Sequence, residues 1–97
     1  MWATIRSKSM TYINNGDLAP IELLTCAIMS YRRKYKAIPS GIYVSIRLSA
    51  GIQIDLRDYY DEESFDGTIP FLVRQGMIQR ISIFFARTLS KDRVICV

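Results

Sequence analysis

The sequence predicts a single α+β domain over residues 1–97: a small antiparallel sheet of three to five strands, with one long helix on one face and room for a second. Three observations predict it. Apolar residues recur every three or four positions over about residues 19–36, the period of one helix face. They alternate singly in Ile42-Tyr43-Val44 and again from Ile78 to Phe85, the period of a strand. The chain has 97 residues, 49% hydrophobic and 23% charged, which suits one buried core rather than a disordered segment.

Taken in order, "WATIRSKSMTYI" (2–13) is rich in β-formers but alternates poorly, and reads as a short edge strand or an arm. "NNGD" marks a turn. The first helix follows. Pro20 stands in its first turn, where a missing N–H costs nothing, and Glu22 complements the positive helix end. Ile21, Leu24, Ile28, Tyr31 and Tyr35 fall on one face. Ile38-Pro39-Ser40-Gly41 ends the helix, because a residue before proline avoids the right-handed helical region.

"GIYVSIRLSAGIQIDLRDYY" (41–60) supports two readings. In one it is a hairpin, with alternation on both sides of Ala50-Gly51. In the other, a strand at 42–45 leads into a helix at 46–60, with Ser45 as N-cap and Leu48, Ile52, Leu56 and Tyr59 on one face. The second is preferred, since Gly51 between Ala50 and Ile52 makes a poor two-residue hairpin turn. An acidic turn follows (61–67). "TIPFLVRQG" reads as a short helix or a strand, "MIQRISIFFARTL" as a central strand, "SKD" as a turn and "RVICV" as a final short strand. The expected core is Leu24, Ile28, Tyr31, Val44, Ile81, Ile83, Val94 and Ile95.

Composition narrows the chemistry. With no histidine, the commonest general base, the usual zinc ligand and the Ser-His and Cys-His nucleophile pairs are all missing. No glycine-rich phosphate loop occurs. Asp58, Asp61, Glu62, Glu63 and Asp66 lack the alternate-position spacing of a calcium loop. Cys26 and Cys96 stand apart among apolar neighbours and read as reduced, buried thiols. The expectation is a protein that is not an enzyme and uses no metal or cofactor. "MWATIRSKSM" has charges where a secretory signal would be apolar, and no apolar run is long enough to span a bilayer, so a cytoplasmic protein is expected.

Charge is distributed in blocks. Residues 1–48 carry seven cations against Asp17 and Glu22, net +5. Residues 49–68 carry Arg57 against six carboxylates, net −5, and residues 69–97 carry five cations against Asp92, net +4. Such blocks favour self-association or an anionic partner. The sharpest is "SYRRKYK", where Arg32, Arg33, Lys34 and Lys36 interleave with Tyr31 and Tyr35. It is either the solvated end of a helix, whose exposed carbonyls favour cations, or a nucleic-acid contact assisted by Arg6 and Lys8. Phe84 with Ile78, and Tyr59 with Tyr60, are candidate interface residues, because exposed apolar patches mark contact surfaces. The expected function is a non-catalytic interaction protein, acting as a homo-oligomer, most simply a dimer, with a further protein partner. The alternative is nucleic-acid binding through the basic helix end.

Two resemblances add to this. "FLVRQGMIQRISIFFARTLSKDRVICV" resembles the tail of winged-helix domains, through Leu72, Val73, Gly76, Met77, Ile78, Arg80, Asp92 and Arg93. That resemblance implies a DNA-reading helix upstream, yet residues 42–57 alternate like strands where the family has two close helices. The order of the chain also resembles small uncharacterised proteins of phages and mobile genetic elements, through Pro39, Ile42 to Ser45 and Ile81 to Val97. This implies a mobile-element origin and no particular activity.

Overall fold

The computed structural model describes residues 8–61 and 64–97, so Arg6 of the expected basic site lies outside the described residues. Strand β1 is Met10–Ile13, helix α1 is Pro20–Tyr35, β2 is Gly41–Val44, α2 is Ile46–Tyr60, β3 is Thr68–Arg74, β4 is Met77–Phe85 and β5 is Arg93–Cys96.

Each helix begins and ends for local reasons. Ala19 precedes α1 and has no side-chain acceptor, so the first amides are satisfied from elsewhere: Ile21 N–H donates to Asp55 Oδ2 (3.0 Å) on α2, and Ala19 N–H donates to Glu22 Oε1 (3.2 Å). At the other end Lys36 turns left-handed (φ 59°) and its N–H donates to the Arg32 carbonyl. For α2, the buried Ser45 Oγ accepts from Leu48 N–H at 3.0 Å, and Asp61 (φ 54°) closes the last turn. Replacing Ser45 by alanine is expected to lower the unfolding free energy by about 1 kcal/mol, measured by urea denaturation, because it leaves the Leu48 amide without its acceptor.

The five strands form one sheet in the order β1-β5-β2-β4-β3. Both helices lie on one of its faces. Leu23, Leu24, Ala27, Ile28 and Tyr31 of α1 and Leu48, Ile52 and Leu56 of α2 bury against Ile42, Val44, Ile69, Phe71, Ile81, Ile83, Val94 and Cys96. Helix α2 spends its apolar face here, and Gly51 admits the Pro20 ring of α1 against its backbone. This settles residues 41–60 as strand then helix, with Gly51 set by helix–helix approach rather than by a turn.

The expected α+β fold forms, with three points made definite. The sheet is mostly antiparallel but mixed: β2 and β4 run parallel (Ile42 opposite Ile83, Val44 opposite Phe85), because α2 carries the chain back between them. Ile95 is not in the core; Val94 and Cys96 take the helix side, so the intervening residue must face the other way. Leu72 and Val73 belong to a strand, joined to β4 by a tight turn in which Gly76 adopts φ 78°, so the helix-Gly-strand order of a winged-helix tail is absent. Among the described residues, no helix is long and apolar enough to cross a membrane.

Candidate interaction surface on the open sheet face

With both helices on one side, strand alternation sends every other side chain to an uncovered face. The registers place Thr11 opposite Ile95, Ile95 opposite Tyr43, and Tyr43 opposite Phe84. These four form one row across β1, β5, β2 and β4, at about 4.8 Å per step. Ile95 is half-buried, while Tyr43 (39% exposed) and Phe84 (45% exposed) stand out with rings 5.2 Å apart and tilted by 35°. Gly41 explains how Phe84 lies: a Cβ there would meet the Phe84 ring edge, so the missing side chain lets the ring fold over the β2 backbone. Ile13 continues the apolar surface on β1.

Further along β4 the face changes character. Ser82 and Arg80 separate Phe84 from Ile78, so the expected Phe84–Ile78 patch does not form; Ile78 instead sits opposite Leu72, both well exposed, on the far part of the β3–β4 hairpin. Arg80 is tied down. Its Nε donates to Thr68 Oγ1 (2.9 Å), and its Nη2 lies 3.5 Å from Asp66 Oδ1. The Thr68 hydroxyl and amide, then Arg80, hold the Asp66 carboxyl below the usual carboxylate range. Phe85 points to the helix side, where it meets Phe65 (6.2 Å between rings) beyond the end of the core.

Tyr59 and Tyr60 are elsewhere. Both sit at the end of α2 in a groove beside α1, with Tyr60 facing Met29, Arg33 and the outer strand β3. The four expected interface residues therefore fall in three places: Phe84 and Ile78 far apart on the open face, and Tyr59 with Tyr60 in the groove. The outer edge of β3 is itself guarded. Pro70 offers no backbone donor, and Arg32 Nη1 donates to the Val73 carbonyl at 2.9 Å.

The expected basic site divides in the same way. Arg32 makes that structural tie to β3. On the opposite flank of α1, Tyr35 Oη donates to the Ser9 carbonyl (2.8 Å) and Tyr31 Oη reaches the Lys8 carbonyl (3.5 Å). These bonds bring Lys8 Nζ to 5.9 Å and Lys34 Nζ to 5.3 Å from the centre of the Tyr35 ring. Burial, aided by the neighbouring Tyr35, raises the Tyr31 pKa. Arg33 and Lys36 are exposed at the same end of the helix, Arg33 on the side of the groove that holds Tyr60.

Both cysteines are free, and burial pushes the Cys96 thiol up to about 12, which keeps it protonated and unreactive. Cys26 is half-buried. Among the described residues no group of three or more histidines, cysteines or carboxylates is placed to hold a metal ion. No protein-family model, curated protein or solved structure matches this chain.

Sequence reasoning had the means to find Tyr43, which alternates with the core residues Ile42 and Val44. It had none to find the row, because a row across a sheet depends on strand order, and β5 inserts between β1 and β2.

Proposed function

We propose that the protein is a non-catalytic interaction module that works as a homodimer, joined through the open sheet face. The observation that carries this reading is the apolar row Ile95, Tyr43 and Phe84, which crosses the sheet on the side no helix covers. A sheet buried on one face needs a layer on the other when that face is also apolar, and a second sheet at about 10 Å supplies one. The second copy fits because the row that would meet it is uncharged, although the whole chains carry like charge. At net +4 two copies repel one another. The row itself carries no charge, and the arginine nearest to it along β4 is already held by Thr68 and Asp66. The basic end of α1 belongs to the helix layer on the other side, and Arg93, opposite Ile13, is the charge that β5 adds to the open face.

Light scattering after size exclusion tests this. A dimer is expected at tens of micromolar protein, little changed by salt, with Phe84→Asp or Tyr43→Asp giving a folded monomer. Unchanged far-ultraviolet circular dichroism identifies the folded state. A wild-type monomer, or a dimer that survives both substitutions, overturns the reading. A dimer that instead dissociates on Tyr60→Asp would move the interface to the groove between the helices.

A further inference from the structure

We propose a second binding surface, independent of the sheet face: the collar of Lys8, Arg33, Lys34 and Lys36 around the end of α1 grips the phosphate backbone of a nucleic acid. A helix C-terminus alone accounts for part of this charge. Its carbonyls amount to about half an elementary charge, and one or two cations in the last turn answer it. Arg33 and Lys34 meet that need without help. Lys8 is different. It belongs to the segment before β1, and the hydroxyls of Tyr31 and Tyr35 hold that segment against the helix, with its ammonium over the same ring that Lys34 approaches. Each ammonium gains a little from the ring, but a neutral ring cancels neither charge. Among the described residues, no carboxylate pairs with Lys8, Arg33, Lys34 or Lys36. Two chain segments far apart in sequence thus converge to build one uncompensated positive surface, which is the electrostatic footprint of a phosphate contact.

A nucleic acid is favoured over a lipid surface. From Arg32 to Ser40 the exposed side chains are charged or small, and the apolar ones, Tyr35 and Ile38, are half-buried. Peripheral membrane binding through a helix needs an apolar face to insert as well as cations. The rings that interleave with these cations, Tyr31 and Tyr35, are buried and half-buried, so the collar fits the backbone rather than the bases, and binding should be insensitive to sequence.

The test is fluorescence anisotropy with a labelled mixed-sequence 30-nucleotide DNA, single-stranded and duplex, over 50–300 mM salt. Binding is expected at low salt, with log K falling against log salt at a slope of about −3 for four phosphate contacts, or slightly steeper on duplex. Lys8→Ala with Lys34→Ala should weaken binding about tenfold at low salt and flatten the slope by about 2. Lys91→Ala, a cation in the loop before β5, should leave both unchanged. Tyr35→Phe keeps the ring but releases Ser9, and should weaken binding through Lys8 alone. No binding at 50 mM salt, or a double variant equal to wild type, overturns the proposal. So does binding to phosphatidylserine vesicles with none to DNA.

Discussion

Replacing Leu24 by alanine will lower the unfolding free energy by about 2–5 kcal/mol. The side chain has no exposed surface and sits in the core shared by the helices and the sheet. Alanine is the better helix former, so the loss comes wholly from packing: apolar atoms leave the core, and neighbours on several elements cannot all close the gap. A domain of this size has about 5–15 kcal/mol in total, so the change is a large fraction of it. Met29→Ala, on the exposed side of the same helix, should move stability by no more than about 0.5 kcal/mol. Urea denaturation of the two variants measures the contrast. Equal midpoints would mean that α1 does not seat its Leu24 face on the sheet.

The second large effect runs against helix propensity. Gly51 lies inside α2, where alanine is favoured by about 1 kcal/mol. Gly51→Ala is nonetheless expected to destabilise the protein by about 1–3 kcal/mol, because the new Cβ would lie 2.6 Å from Pro20 Cγ. A proline ring cannot rotate aside, so the start of α1 must move. That movement stretches the bond from Ile21 N–H to Asp55 Oδ2 as well. Pro20→Ala in the same background should recover most of the loss, and a double-mutant cycle of thermal or urea unfolding reads the coupling. A Gly51→Ala protein more stable than wild type would show that the two helices do not meet there.

How much of this was legible beforehand depended on whether the governing interaction was local. The first helix, with Pro20 inside its start and Pro39 beyond its end, is written in neighbouring residues and forms where expected. The same holds for Ser45 as the cap of α2. The parallel pairing of β2 with β4 was not legible, since it follows from where α2 delivers the chain rather than from either strand. Ile95 was misplaced because "RVICV" is apolar at consecutive positions, and period alone cannot say which of them face the helices. Lys8 shows the opposite outcome. Charge composition placed it with the basic helix end, and the hydroxyls of Tyr31 and Tyr35 supply the connection.

The place of β5 governs the order in which the sheet can close. Strands β2, β4 and β3 with α2 form a unit from one stretch of chain, Gly41 to Phe85, whose pairings close shorter loops than the pairing of β1 with β5. Strand β1 has no neighbour in that unit. Its partner is β5, with Met10 opposite Cys96, so it remains without a ladder until β5 has docked on β2. Closing so long a loop is slow, and the contacts made last are among the most widely separated in sequence. Lys8 lies two residues before the start of β1, so the collar around the end of α1 is completed late, by the seam that joins the two ends of the described chain.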